Sequence, residues 1–227
     1  HSLGEYSALA AAGVFSLADA ARLLRLRGEA MQQAVPSGQG GMLALLGADL
    51  DPAQRLAAAA AGGDVCEVAN DNAPGQIVIS GSKTAIERAA KLAPEFGIRR
   101  AIPLAVSAPF HCALMKPAAE RMAAALATVR INAPSVPVVA NVTALPTLDA
   151  REIAMLLVQQ VTSMVRWRES VAYMVDRGGV DTIFEIGAGR VLTGLAKRIR
   201  PEADARAVGS PEEVTAFGDW LKSRGII

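Results

Sequence analysis

The segment between residues 38 and 107 has a strand and helix order that few folds accommodate. It begins within the glycine-rich stretch Ser37-Gly38-Gln39-Gly40-Gly41, a flexible break that favours a domain boundary. Short apolar runs in this segment predict strands, and longer Ala-rich runs with charged residues predict helices. The order is βαββαβ, which is that of the ferredoxin-like unit. The six predicted elements are Met42–Gly47, Pro52–Ala61, Val65–Ala69, Gln76–Ser80, Lys83–Phe96 and Arg100–Ala105.

The segments on either side of this unit predict a larger α/β body. Val136–Asn141 is a β-branched, apolar run that is typical of a buried strand. We therefore predict a core formed by residues 1–37 and 108–227, with residues 38–107 inserted as a ferredoxin-like subdomain. The other predicted elements are the helices Leu3–Ala12, Ser16–Ala34, Pro117–Thr128, Arg151–Val161, Trp167–Arg177 and Val191–Ile199, and the strand Thr182–Ile186.

The composition excludes several classes of function. The chain has 227 residues, of which 52% are hydrophobic and 20% are charged, and its net charge of +1 gives no reason to expect a nucleic acid or a membrane surface as partner. Charged residues, Gly or Pro interrupt every apolar run before it could span a bilayer. Cys66 and Cys112 are too few for a disulfide framework or a thiolate metal site, which predicts a reducing, cytoplasmic setting.

The first four residues, His1-Ser2-Leu3-Gly4, match the second part of the G-x-S-x-G nucleophile elbow. This motif holds a serine at a helix N-terminus, where free N–H groups can stabilise an oxyanion, and the N–H of Leu3 is the expected donor. The alternative is that Ser2 simply caps an Ala-rich helix. Because the first glycine of the motif and an initial Met are missing, we expect that an N-terminal part of the protein has been lost.

Arg27 lies in the middle of the apolar face of the predicted second helix. A guanidinium cannot lose its proton, so burial requires an anion nearby. One interpretation is a structural salt bridge with a core carboxylate, or a side chain that extends to the surface. The other is a pocket in which Arg27 holds a substrate carboxylate through two parallel hydrogen bonds. The polar face of this helix carries Arg22, Arg25, Glu29, Gln32 and Gln33, and the apolar face carries Ala20, Leu23, Leu24, Met31 and Ala34.

His111 is the only histidine outside the N-terminal motif. It lies in the segment Ser107–Met115, which follows the last predicted strand of the inserted unit, and such loops commonly carry catalytic side chains. It is the candidate general base for Ser2, and the alternative is an ordinary buried histidine. No second His and no Cys or Asp cluster lies at ligand spacing, so we predict no metal site.

Taken together, Ser2, Arg27 and His111 belong to a set of sequence stretches that resembles the malonyl-CoA:acyl carrier protein transacylase family, the acyltransferases of fatty-acid and polyketide synthesis. The resemblance extends from the first residue to about residue 200. It implies an α/β fold, with an α/β-hydrolase-like core, a parallel sheet and an inserted ferredoxin-like subdomain. The matching stretches are HSLGEYSALAAAGVFSLADAARLLRLRGEAMQ, NAPGQIVISG, PFHCALMKPAA, NAPSVPVVANV and EIGAGRVLTGL.

The resemblance implies a role for each candidate residue. Ser2 is the nucleophile, His111 is its base, and the main-chain carbonyl of Gln160 orients the histidine in place of an acidic side chain. Arg27 holds the free carboxylate of the malonyl group. Phe110, the residue before the histidine, resembles the residue that malonyl-specific relatives have at this position. Relatives that take methylmalonyl groups tend to have Ser at this position.

The resemblance also implies the partners. The substrate is malonyl-CoA, the acceptor is the phosphopantetheine thiol of an acyl carrier protein, and neither a metal nor a redox cofactor is needed. Family members also have several dozen residues before the elbow, with a glycine–glutamine motif that supplies a second oxyanion donor. We expect a monomer. Because carrier proteins are acidic, the candidate contacts are Arg99, Arg100, Lys197 and Arg198, although each could equally be an ordinary solvated charge.

Three other functions stay open on the sequence. The chain could be the acyltransferase domain of a polyketide synthase, or a serine esterase or thioesterase of the α/β-hydrolase class. A truncated, inactive fragment is the third possibility. An esterase would share the serine and the histidine but would have no use for an arginine aimed into its pocket.

Overall fold

The computed structural model describes residues 1–226 and divides into two units, His1–Ser170 and the chain from Val171 onward. The predicted boundaries near residues 37 and 107 lie inside the first unit, so that finer division stays a prediction. The α-helices are α1 (Ser2–Ala11), α2 (Leu17–Gln33), α3 (Leu50–Ala61), α4 (Lys83–Leu92), α5 (Lys116–Leu126), α6 (Ala150–Thr162), α7 (Trp167–Asp176), α8 (Val191–Ile199) and α9 (Pro211–Ser223). The strands are β1 (Gly40–Leu46), β2 (Cys66–Ala73), β3 (Gln76–Ser82), β4 (Arg100–Pro103), β5 (Val138–Val139), β6 (Pro146–Thr147), β7 (Thr182–Ile186) and β8 (Asp204–Val208).

Strands β1 to β4 form an antiparallel sheet in the order β2-β3-β1-β4. Alternate residues of the two central strands point to one face, and Leu43, Leu45, Ile77 and Ile79 are fully buried there. Helices α3 and α4 cover this face with Leu56, Ile86 and several alanines. The predicted βαββαβ order of elements is therefore present, and it has its own apolar core.

Two predicted boundaries in this segment differ from the observed ones by four residues. The predicted helix Lys83–Phe96 is α-helical only to Leu92 and continues as the 3₁₀ turn Ala93–Phe96, because Pro94 has no N–H for a helical hydrogen bond. Strand β2 continues to Ala73, four residues beyond the predicted end. The additional residues include an Asn-Asp-Asn run, whose residue types are depleted in strands, so propensity alone ended the predicted strand too early.

The helices of the first unit form a second apolar core. Helices α1, α2, α5 and α6 contribute Tyr6, Leu23, Met122 and Leu157, all of them almost completely buried. Ser16 caps α2 by accepting a hydrogen bond from the N–H of Asp19. This core places the first turn of α1 beside the middle of α2 and the end of α6.

The predicted strand Val136–Asn141 is too long. Only Val138–Val139 is extended and paired, with Pro146–Thr147 in a short antiparallel ladder, and Val136 is 56% exposed. Pro137 cannot donate a ladder hydrogen bond, and the chain turns back through Ala144, which has a positive φ of 56°. Among the described residues the run therefore pairs only in a short hairpin, while Val138, Ala140 and Asn141 are buried as predicted.

In the second unit, β7 and β8 pair in parallel, with Thr182 opposite Asp204 and Ile186 opposite Val208, and α8 connects them. Strand β8 and the final helix α9 are absent from the sequence-based prediction. Ser210 and Glu213 form a reciprocal capping box at the start of α9, a signal that could have identified this helix. No helix among residues 1–226 is long and apolar enough to cross a membrane.

Replacing Gly81 by Ala should lower the free energy of unfolding by about 1–3 kcal/mol. A Cβ atom at this position would lie 2.0 Å from the main-chain oxygen of Val65, so the strands must move apart. Urea unfolding followed by circular dichroism measures the change. Gly28→Ala is the control, because its Cβ would meet nothing within 4 Å in the interior of α2 and should stabilise the helix. An unchanged midpoint for Gly81→Ala would contradict this packing.

Candidate active site

Ser2 is the first residue of α1, and His1 is the capping residue that precedes it. The main-chain oxygen of His1 accepts from the N–H of Glu5, and no side chain caps the helix. The interpretation of Ser2 as a helix cap is therefore wrong. Leu3 follows in the first helical turn, where main-chain N–H groups have no acceptor within the helix. The Ser2 hydroxyl thus lies where a helix N-terminus offers donors to an anion.

Arg27 is 7% exposed, and its Nη2 donates hydrogen bonds to the Ser2 hydroxyl at 2.6 Å and to Oε1 of Gln160 at 2.9 Å. Its Nε is buried without a hydrogen-bond partner. Within residues 1–226 Arg27 makes no salt bridge, so the interpretation as a structural ion pair is wrong for this part of the chain. The ring of Tyr6 lies 5.9 Å from the guanidinium carbon and offers a cation–π contact.

His111 is 5% exposed and has a positive φ of 60°. Its Nδ1 lies 2.9 Å from the main-chain oxygen of Gln160. Because a carbonyl oxygen only accepts, Nδ1 carries the proton and Nε2 is left with its lone pair. Burial and, to a smaller extent, the nearby charge of Arg27 lower the pKa of His111 to about 4, although main-chain hydrogen bonds at Gln160 and Ser163 oppose the change. The imidazole is therefore neutral at pH 7 and able to accept a proton.

A cavity of about 330 Å³ brings the predicted residues together. Ser2, Leu3, Arg27, Phe110 and His111 come from three separate parts of the sequence, and all five line this one space. Its wall also includes His1, Gly28, Met31, Gln32, Met42 and Asn70. The candidate nucleophile, base and carboxylate-binding cation thus share one small cavity.

Gln160 lies behind this cavity and is completely buried on α6. The predicted contact of its main-chain oxygen with His111 is present. The role of its side chain is missing from the sequence-based prediction. Its amide nitrogen donates to the main-chain oxygen of Ser2 at 3.0 Å and to the Glu5 carboxylate at 2.7 Å, while its amide oxygen accepts from Arg27.

Sequence reasoning also missed the polar end of strand β2. Asn70 lines the cavity, and Oδ1 of Asn72 lies 2.8 Å from Nε2 of His1. Between them Asp71 is fully buried and paired with Arg168, whose Nε and Nη2 lie 2.9 and 2.8 Å from the carboxylate. The sequence signal for this polar cluster was the Asn-Asp-Asn run between two apolar segments. Polar side chains that are buried with such segments need hydrogen-bond partners.

The four basic residues predicted to contact a carrier protein are exposed in both units. Arg99 and Arg100 lie at the start of β4 in the first unit, and Lys197 and Arg198 lie on α8 in the second. Their contact with a carrier protein stays a prediction. Among residues 1–226, no three His, Cys, Asp or Glu side chains are grouped as metal ligands would be.

The family model of the acyl transferase domain matches residues 1–211 of this chain. A curated relative, the malonyl CoA-acyl carrier protein transacylase of Haemophilus influenzae, is 47% identical over 221 residues. That alignment covers 97% of this chain and 70% of the relative. The chain therefore spans about seven tenths of the length of this relative.

Solved structures show the same likeness. The acyl-carrier-protein-S-malonyltransferase from Bartonella henselae superposes with a TM-score of 0.93 at 53% identity, covering 99% of this chain and 70% of that one. A complex of a type II polyketide synthase acyl-carrier protein with its malonyl-transacylase superposes with a TM-score of 0.92 at 45% identity, covering 96% of this chain and 71% of that one. The α/β fold of this chain is therefore similar to that of known malonyltransferases.

The pKa of His111 predicts how stability changes with pH. The unfolded chain protonates this histidine near its ordinary pKa of 6.5, whereas the folded chain does so only near pH 4. The unfolded state therefore binds more protons between these values, and the free energy of unfolding should decrease as pH falls from 6.5 to 4, by up to about 3 kcal/mol.

The matched variant is His111→Asn, because asparagine tolerates the positive φ at this position. Urea unfolding at pH 7 and pH 4.5 should show a smaller loss of stability in this variant than in the wild type. Equal losses in the two proteins would contradict the lowered pKa of His111.

Proposed function

The chain belongs to the acyl transferase domain family, and on that premise we propose that it transfers a malonyl group from malonyl-CoA to the phosphopantetheine thiol of an acyl carrier protein. One observation carries the choice of substrate. A guanidinium without a carboxylate partner among residues 1–226 lies 2.6 Å from the hydroxyl of Ser2. In a malonyl thioester a single methylene separates the carboxylate from the reacting carbonyl, so the cation must lie close to the nucleophile.

The first half of the reaction makes a malonyl-serine ester. Nε2 of His111 takes the proton from the hydroxyl of Ser2, and the oxygen attacks the carbonyl carbon of the thioester. The carbon–sulfur bond then breaks, and the CoA sulfur leaves as a thiol with the proton from His111. Arg27 pairs with the malonyl carboxylate throughout, through two parallel hydrogen bonds.

The second half returns the serine. His111 takes the proton from the phosphopantetheine thiol, and the sulfur attacks the ester carbon. The bond to Ser2 breaks, and its oxygen recovers the proton from His111. His111 must be neutral at the start of each half in order to accept a proton. Its pKa of about 4, which results mainly from burial, keeps it neutral at pH 7.

The oxyanion formed in both halves requires donors next to Ser2. The main-chain N–H of Leu3 is the donor within this chain, because it lies in the first turn of α1 with no acceptor inside the helix. Phe110 lines the cavity next to His111 and restricts the space beside the methylene of the acyl group. This favours a malonyl group over a bulkier branched one.

We propose an α/β-hydrolase-like core formed by residues 1–37 and 108–227, with residues 38–107 as an inserted ferredoxin-like subdomain. The βαββαβ order, the strand order β2-β3-β1-β4 and the separate apolar core of this segment support the insertion. The parallel pair β7–β8 with its connecting helix α8 supports a parallel core sheet. The inserted subdomain contributes Met42 and Asn70 to the wall of the cavity.

The carrier protein is the macromolecular partner. The solved complex of a similar malonyl-transacylase with its acyl-carrier protein supports this assignment. Exposed arginines at the start of β4, Arg99 and Arg100, are the proposed contacts within the first unit, and Lys197 and Arg198 are those within the second. A reaction without metal or redox cofactor, a monomeric state and a cytoplasmic setting stay predictions.

An esterase or thioesterase of the α/β-hydrolase class is the less favoured alternative. It would use Ser2 and His111 in the same way but would gain nothing from a buried cation beside the nucleophile. A carrier protein from polyketide synthesis, in place of one from fatty-acid synthesis, would leave the chemistry at Ser2 unchanged. Transfer assays with carrier proteins of each kind separate these two settings.

Incubation with malonyl-CoA should add one malonyl group to Ser2. Mass spectrometry of the intact protein, followed by peptide mapping, measures the adduct, and later addition of a phosphopantetheine thiol should remove it. Ser2→Ala should abolish the adduct because the hydroxyl is the attacking group. A malonyl group on any other residue, with Ser2 unmodified, would contradict the proposed mechanism.

Arg27→Ala should reduce kcat/KM for malonyl-CoA by about 100-fold, the loss expected for a charge-assisted pair of hydrogen bonds. Transfer from acetyl-CoA, which has no carboxylate, should change by less than about 5-fold. Arg27→Lys should be intermediate, because an ammonium keeps the charge but not the paired geometry. Equal losses for both substrates would favour the esterase alternative over the malonyl transferase.

A further inference from the structure

Glu5 is a buried carboxylate that the mechanism above does not use. It lies on α1, one turn from Ser2, and is 5% exposed. Its Oε2 accepts from the amide nitrogen of Gln160 at 2.7 Å and from the main-chain N–H of Asn141 at 3.0 Å. Burial raises the pKa of Glu5, while these two hydrogen bonds oppose the rise. A carboxylate is costly to bury, and this one needs an account beyond packing.

The amide of Gln160 lies between Glu5 and Arg27. A carboxylate only accepts hydrogen bonds and a guanidinium only donates them, so the two neighbours permit a single orientation of the amide. Its nitrogen must face Glu5, and its oxygen must face Arg27, as the contacts of 2.7 and 2.9 Å show. Glu5 therefore determines which atom of Gln160 is offered to Arg27.

The same arrangement keeps the two charges apart. Glu5 makes no salt bridge with Arg27 among the described contacts, and the neutral amide separates them. A direct pair would satisfy the guanidinium permanently and compete with a substrate carboxylate. With the amide in between, Arg27 is held in place by Oε1 of Gln160 and keeps its charge for a ligand.

Gln160 also serves His111 through its main chain. The amide nitrogen of its side chain is anchored to Glu5 and to the main-chain oxygen of Ser2 at 3.0 Å, and its main-chain oxygen accepts from Nδ1 of His111. Motion of this side chain would disturb the end of α6, where that carbonyl lies. One anchored residue thus holds both the cation and the base.

We propose that Glu5 is a positioning residue that acts through Gln160, fixing Arg27 for the substrate carboxylate and His111 for proton transfer at Ser2. The part that concerns the carboxylate rests on the proposed malonyl transfer. The part that concerns His111 does not, because it applies to any reaction of the Ser2 hydroxyl.

Two substitutions at Glu5 separate positioning from charge. In Glu5→Gln the new amide oxygen can take the place of Oε2 and accept both hydrogen bonds, whereas Glu5→Leu accepts neither. The ratio of kcat/KM for malonyl-CoA to that for acetyl-CoA reports how Arg27 is held. We expect this ratio to fall roughly 10-fold in Glu5→Leu and to stay within about 3-fold of the wild type in Glu5→Gln.

The rate at which a fluorophosphonate labels Ser2 provides a readout that needs no malonyl group. It depends on removal of the serine proton by His111, so it should fall roughly 10-fold in Glu5→Leu and recover in Glu5→Gln. Leu126→Ala is the stability control, since this buried residue of α5 lies outside the cavity wall. It should lower the melting temperature but change neither the substrate ratio nor the labelling rate.

Gln160→Met keeps the main-chain carbonyl and removes the amide, so it tests the same connection if Glu5→Leu does not fold. It should lower the substrate ratio as Glu5→Leu does. A folded Glu5→Leu or Gln160→Met protein with the wild-type ratio and labelling rate would overturn the positioning role. A wild-type protein that transfers no malonyl group would instead overturn the proposed function, and the labelling rates would still decide the role of Glu5.

Discussion

The hydrogen bonds of Gln160 are the interaction on which the site depends. Its main-chain oxygen orients His111, and its side-chain oxygen holds Arg27. Both partners are almost completely buried, and a buried cation or imidazole in the wrong orientation would be costly. One glutamine at the end of a helix therefore sets the proton-accepting atom and the cation in a fixed relation to Ser2.

Contacts between strand β2 and the segment that follows α6 fix the position of Gln160 relative to the sheet. Arg168 pairs with the buried Asp71 of β2, and the main chain of Val165 bonds to Ala69 and Asp71 on the same strand. These contacts connect the segment after α6 to the polar end of β2, which contributes Asn70 to the cavity wall. The sheet, the end of α6 and the first turn of α1 thus meet at one place.

Local sequence patterns identified the candidate residues whose side chains stand out from their surroundings in the sequence. Arg27 on an apolar helix face and His111 in a loop after a strand are visible without a structure, and both line the cavity. The side-chain role of Gln160 and the importance of Glu5 were not predictable, because an amide and a carboxylate become notable only when their burial and their partners are known. Their partners are distant in sequence.

The fold also contains elements that the local sequence predicts and elements that contacts with distant residues determine. Short apolar runs and longer Ala-rich runs predicted the βαββαβ segment, because its elements pack on their own small apolar core. Val136–Asn141 was mispredicted because its apolar composition says nothing of the hairpin imposed by Pro137 and Ala144. Strand β8 has a mixed composition, and its pairing with β7 determines its conformation more than its own propensity does.

A crystal structure of the malonyl ester of Ser2, trapped by withholding the thiol acceptor, would show whether Arg27 binds the acyl carboxylate. We predict that the malonyl carboxylate lies within about 3 Å of the Arg27 guanidinium, while Gln160 keeps its bonds to Arg27 and His111. A carboxylate directed to solvent, with Arg27 still bound only to protein groups, would contradict this prediction.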